Sequence, residues 1–219
     1  DLFHHWDLDE NQAIAIARRL ENGIYNAGAS VQSDGATVKT NQSYFHLATS
    51  EGFSQGVAQS THTLGCSALA RSGTISQLNY WSESARKPAD LPAPEWVGQQ
   101  AAEGAAAYLD QRPLTSRRCA VLFDPRSAVS LLGHFAQAIS SQALYTNSSF
   151  LLGKINDSVM AEHLHLLEDP FKPAGKASLA FDGDGIAPHK RLLVDGGVLQ
   201  GYLLSLYGAR RLNMSPTGN

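Results

Sequence analysis

Two cysteines in 219 residues, Cys66 and Cys119, are too few and too far apart for a disulfide framework, and no C-x-x-C occurs. That scarcity points to a reducing compartment, so the expected location is the cytoplasm. Long apolar runs are lacking as well. Nothing approaches the ~20 apolar residues of a membrane-spanning helix, and the opening DLFHHWDLDE has neither the basic nor the apolar region of a signal peptide. No membrane partner is expected. Charge of one sign is also missing: seventeen Lys and Arg against twenty Asp and Glu leave a net −3. The cations are scattered apart from Arg117-Arg118 and Arg210-Arg211, so no nucleic acid partner is expected either. An initiating Met is absent, and the chain stops at SPTGN, as a fragment of a longer protein would.

What is present reads as a globular protein, 43% hydrophobic and 17% charged. Asp7 followed by Glu10 resembles a capping box, and Ala13, Ile14, Ala17, Leu20 and Ile24 recur at helical spacing, predicting a helix over 8–27 with Gly28 as its stop. From 29 to 84 Thr, Ser, Val, Gln and Tyr dominate. Alternation such as Val57/Gln59/Thr61 and the turn signals SDG, SEGFSQG and RSG predict an antiparallel meander of about four strands with one wet face. After the proline-bearing RKPADLPAPEW, Pro94 opens a second helix with a stripe of Val97, Ala101, Ala105 and Tyr108. QRPLTSRR marks a boundary.

Beyond it, CAVLFDP reads as a short buried strand, with Cys119 in the core. The next helix carries SLLGHFAQAIS, and a further strand is expected at 159–167. KRLLVDGGVLQGYLLSLYGARRLNM reads as strand, tight Asp195-Gly196-Gly197 turn, strand and short helix. The expected fold class is α+β: a helix-flanked antiparallel sheet over 1–112, then a truncated second α+β domain over 113–219.

On a helical wheel at ~100° per residue, Val129, Leu131, Leu132, Phe135, Ala136, Ala138 and Ile139 fall in one half, which predicts a core stripe with His134 off it. A zinc-binding helix brings two imidazoles to one side with a Glu beside the first. After His134 come Phe135 and, at i+4 and i+5, Ala138 and Ile139. Neither a second ligand nor a base is present.

Several blocks resemble the TldD/PmbA family in its PmbA (TldE) branch: WDLDENQAI, PAPEWVG, LLGHFAQAIS, SSFLLGK, FDGDGI, DGGVLQGYLLSLYGARRLNM and the terminal TGN. The resemblance implies a subunit of a peptide-processing metalloprotease, whose TldD-type subunits carry H-E-x-x-x-H on the corresponding helix. Aligned on that block, the first His falls on Gly133, the Glu on His134 and the second His on Ala138. The implication is a zinc-free subunit with no catalytic residue of its own. It would pair with a TldD-like, zinc-holding partner on extended or unfolded peptides. A homo-oligomeric peptide-binding or regulatory protein is the alternative. A self-sufficient hydrolase with ligands elsewhere is a third reading, disfavoured by Gly133 and Ala138.

Other candidates have plainer readings. His163 and His165 would share a strand face as a metal pair, with no third ligand in sight. Asp182 and Asp184 in FDGDG fit a turn better than a calcium loop, since Leu193 stands where the twelfth-position Glu belongs. His62 and Cys66 lie ~13 Å apart on a strand, too far to pair. Tyr44, Phe45, Phe53, Tyr80 and Trp81 could dock a peptide or partner, with core packing expected for most, and the polar strands could bind an extended peptide at an edge.

Overall fold

The computed structural model describes residues 1–28 and 30–219; Ala29, where the sheet texture was expected to start, lies outside the described residues. The element order is α1 (Glu10–Tyr25), β1 (Val31–Ala48), β2 (Ser54–Ser72), β3 (Ile75–Ala85), α2 (Pro94–Ala107), α3 (Pro125–Ala138), α4 (Ser141–Tyr145), β4 (Leu166–Glu168), β5 (Arg191–Asp195), β6 (Val198–Leu199) and α5 (Leu206–Leu212). The class is α+β, with two three-stranded sheets ordered β1-β2-β3 and β4-β5-β6. The chain divides into two compact units. One holds Asp1–Phe45 and Gly56–Ser116; the other holds His46–Gln55 and Arg117–Asn219. The far end of the first hairpin therefore belongs with the second unit, an excursion no linear reading anticipates.

In the first unit, the capping box forms at Asp9 and Gln12 rather than Asp7 and Glu10: the Gln12 amide donates to Asp9 Oδ1 at 2.8 Å, and the Asp9 amide to Gln12 Oε1 at 3.0 Å. Both pairs have the required spacing, and tertiary bonds choose between them. The Ser60 amide donates to Leu2 O, and the His4 amide donates to Ser60 Oγ, so the chain is tied to β2 until just before the helix.

Three long strands replace the expected four. SEGFSQG and RSG do make turns, the latter a two-residue hairpin with Gly73 at φ 58 between paired Ser72 and Ile75. SDG does not. Val31 and Ser33 face the helices before it, whereas Ala36, Val38 and Thr40 face them after it. The inward parity thus flips at Gly35, whose φ of 122 suits a bulge inside β1. A bulge and a hairpin turn share the same residue preferences, which is why composition alone misreads it.

The buried positions of β2 alternate through Ser60, His62, Leu64, Cys66, Ala68 and Ala70. They meet Leu20 and Ile24 of α1 and Val97, Ala101, Ala102 and Ala105 of α2. Tyr108, the last member of the expected α2 stripe, is exposed. The helices touch backbone to backbone. A β-carbon on Gly98 would stand 2.0 Å from Leu20 O, and one on Gly23 2.1 Å from Glu95 O. On the other face, the Tyr80 ring covers Gly65 between Ser67 and Ser82.

In the second unit, Ile139, Leu144, Leu151, Val194, Leu199, Tyr202, Leu204 and Ala209 form the core. The Tyr202 hydroxyl donates to Leu151 O at 2.7 Å and accepts from the Lys154 amide at 3.1 Å, so its burial leaves no polar group unpaired. Gly196 and Gly197, at φ 54 and 78, make the two-residue turn between β5 and β6 expected from DGG. The strand expected at 159–167 is reduced to β4, preceded by a turn. The strand expected in CAVLFDP is absent: 119–123 is irregular and exposed, Cys119 included, because no described residue offers it a neighbouring strand.

Candidate functional site

The helix α3 starts where sequence predicts. Asp124 caps it, accepting from the Arg126 amide at 2.9 Å and the Ser127 amide at 3.2 Å, and Pro125 takes the first position, where its missing N–H costs nothing. The bonds from Ser127 hold the Asp124 carboxyl below its usual value. At the far end, Ser149 Oγ donates to Ala138 O at 2.6 Å, satisfying a terminal carbonyl.

The three positions of interest lie on this helix. Gly133 is exposed, and a β-carbon there would meet nothing within 4 Å. Packing among the described residues therefore does not demand glycine at 133. The His134 side chain is exposed, and no described residue hydrogen-bonds its ring. Ala138 is half-buried against the second core. Gly133 and Ala138 supply no donor atom, so this donor set does not fit a zinc ion. Among the described residues, no group of three His, Cys, Asp or Glu side chains could hold a metal.

The wheel's core stripe is only partly realised. Phe135 and Ala138 pack on the core, but Val129, Leu131 and Leu132 are exposed.

The remaining candidates separate by environment. His163 lies in the turn ahead of β4 and His165 in the irregular residues between that turn and the strand, so the two do not share a strand face. His165 Nδ1 is 2.8 Å from Asp195 Oδ1 and within reach of the Gly196 amide, which makes it a turn contact. Asp182 is buried and ties its own loop, accepting from the Asp184 and Ile186 amides at 2.9 and 2.8 Å; Asp184 Oδ2 accepts from the Leu206 amide at the start of α5. FDGDG is thus the turn expected.

His62 is fully buried, with Nδ1 at 2.8 Å from Thr40 Oγ1, Nε2 at 2.9 Å from His4 O, and Trp6 edge-on at 5.2 Å. It is a structural residue, and nothing in the sequence apart from strand parity marks it. Burial pushes the Cys66 thiol up to about 11, helped by the charge of Glu21, so it is no nucleophile. Core packing, expected for most of the five aromatics, holds for two: Phe53 is half-buried against Phe181, and Trp81 against Trp96. Tyr44, Phe45 and Tyr80 are exposed, because their positions fall on the outward side or at the far end of the hairpin.

The first unit also contains a cavity of about 290 Å³ between Trp6, Ile16, Arg19, Leu64, Leu91 and Pro92. At its rim, Arg19 Nε and a terminal nitrogen donate to the two oxygens of Glu95 at 2.6 and 3.0 Å. No helix of the described residues is long and apolar enough to cross a membrane.

Comparison with known proteins bears on the whole length. The profile of the PmbA/TldA metallopeptidase central domain matches residues 3–109, and that of the C-terminal domain matches 116–219. The chain is 29% identical over 220 aligned positions to the metalloprotease PmbA of Escherichia coli O157:H7, and 30% identical to its homologue from Haemophilus influenzae. Each alignment covers all of this chain and 49% of the relative. The chain thus spans about half the length of the curated relatives it matches. A crystal structure from Bacteroides thetaiotaomicron, described as a candidate modulator of DNA gyrase, superposes with TM-score 0.89 at 26% identity, covering 96% of this chain and 48% of that one. The fold is also shared with TldE from Thermococcus kodakarensis, at TM-score 0.74 and 18% identity, over all of this chain and 51% of that one. From its first unit to its last turn, this chain belongs to the PmbA/TldD metallopeptidase family.

Proposed function

We propose that this chain belongs to a PmbA/TldE-type subunit that binds no catalytic zinc itself and acts with a TldD-like, zinc-holding subunit on extended peptides in the cytoplasm. The observation that carries the reading is chemical. The positions that would hold the two imidazoles and the general base of the family's H-E-x-x-x-H are Gly133, Ala138 and His134. Two have no donor atom to offer a zinc ion, and the third carries an imidazole where the family's carboxylate stands. The open space around Gly133 supports a lost function over a packing demand, since a side chain would fit there. The fold shared with a TldE supports the subunit role. The role of this half would be to shape the peptide channel, with the polar outward positions of the first sheet, such as Thr61, Thr63 and Ser67, as the surface an extended chain would meet.

The test is the zinc content and peptidase activity of the full-length protein, alone and mixed with a TldD-like subunit. Activity only in the mixture, abolished when the partner's own motif is mutated, is the expected result. Stoichiometric zinc with cleavage by the protein alone would overturn the reading. Self-association with no gain in cleavage on mixing would favour a homo-oligomeric peptide-binding protein instead.

A further inference from the structure

The first unit holds a hollow that no residue of the zinc-motif helix lines. Its walls are Trp6, Ile16 of α1, Leu91 and Pro92, and its floor is Leu64 of β2, a core residue. All of them lie within residues 3–109, the stretch matched by the central-domain profile, so one domain of the family builds the whole hollow. The walls are stiff. Trp6, Ile16 and Leu91 pack on the first core. The connector turns over Pro88–Asp90, where the Leu91 amide donates to Pro88 O, and its prolines fix the backbone. A preformed apolar hollow of this kind loses little order when it is filled. At about 290 Å³ it is small for a ligand pocket and takes one large apolar side chain rather than a nucleotide-sized cofactor.

The rim sorts the ligand further. Arg19 directs Nε and one terminal nitrogen to Glu95, and its other terminal nitrogen bonds to no described residue. The Glu95 carboxylate takes those two bonds and one from its own amide, out of about four that it can accept. The two charges cancel, so the rim suits a neutral polar group better than a free anion or cation. One spare donor and one spare acceptor beside an apolar hollow match the backbone of a peptide: a carbonyl accepts from Arg19 and an amide N–H donates to Glu95. A hydrocarbon tail would use neither.

We propose that this hollow is a peptide subsite: it takes one large apolar side chain, leucine or phenylalanine, while Arg19 and Glu95 hold the adjoining backbone groups. The choice of a peptide as occupant rests on the function proposed above. The fit to an apolar side chain rests on the cavity itself.

The probes are three blocked residues, N-acetyl leucinamide, N-acetyl phenylalaninamide and N-acetyl glycinamide. Each is titrated into the full-length protein with no TldD-like subunit present, and the methyl NMR signal of Ile16 reports binding. The leucine and phenylalanine probes should bind at least about tenfold tighter than glycine, as burial of one such side chain predicts. Arg19→Met keeps the apolar stem at the rim and removes the donor, so it should weaken both apolar probes by about two- to tenfold. An Ile16 signal that no probe moves, up to its solubility limit, would overturn the proposal, whether the hollow stays empty or holds another part of the polypeptide or a second copy. So would equal affinity for the glycine probe, or affinities that Arg19→Met leaves unchanged. The outcome is separable from the zinc and mixing test. Failure here leaves the subunit role standing, whereas binding here with no gain in cleavage on mixing removes that role and leaves the subsite.

Discussion

Gly98 of α2 lies so close to Leu20 of α1 that a β-carbon on it would stand 2.0 Å from the Leu20 carbonyl oxygen. Gly133 of α3 has nothing within 4 Å of the same position. The identical substitution should therefore have opposite signs at the two sites.

Gly98→Ala must separate two helices in backbone contact, and overpacking of this kind costs about 1–3 kcal/mol. Gly133→Ala should raise stability by up to ~1 kcal/mol through helix propensity alone. Chemical denaturation of the two variants checks both. A gain from Gly98→Ala would show that α1 and α2 can part freely.

His62 fastens three elements: β1 through Thr40, the residues before α1 through His4, and Trp6 by its ring. His62→Leu leaves the Thr40 hydroxyl and the His4 carbonyl without their partner and should cost about 2–4 kcal/mol. Thr40→Val removes only one bond and should cost less, on the order of 1 kcal/mol. Equal losses would mean that the Thr40 bond alone, and neither the His4 bond nor the ring contact, governs the site.

The Arg19–Glu95 pair makes a modest pH-dependent contribution. The hydrogen bond from Arg19 holds the Glu95 carboxyl below its ordinary 4.5. A depressed carboxylate stabilises the fold above its unfolded value, and that contribution fades as pH falls through the lower folded value. Both side chains are about half exposed, so solvent screening limits the pair to at most ~1 kcal/mol. Glu95→Gln should lose this amount at pH 7 and nothing once the carboxyl is protonated. Denaturation at the two ends of that range, in wild type and variant, measures the difference.

Cys66, with its thiol near 11, should resist thiol reagents at pH 8, where only about one in a thousand would be ionised. Labelling in the native protein should follow unfolding. Rapid modification without loss of structure would place the sulfur closer to solvent than the core between β2 and α2 allows.

Much of the architecture was legible in the residues themselves. The 3.6 periodicity of Leu20 and Ile24, the proline at 94 and the glycine pair at 196–197 each encode a local structure that needs no distant partner, and each formed as read. Capping at α1 and the turn signal at 33–35 were ambiguous. Two overlapping pairs satisfied one spacing rule, and a bulge uses the same residues as a turn. Tertiary bonds from Ser60 to Leu2 and His4 decided the first, and the inward parity of β1 decided the second. The absence of zinc donors at Gly133 and Ala138 is likewise a property of sequence, because a missing side chain cannot be restored by folding. Burial is different. His62 became structural, and the apolar 119–123 stayed exposed, because burial depends on which residues arrive opposite, and local spacing does not encode that.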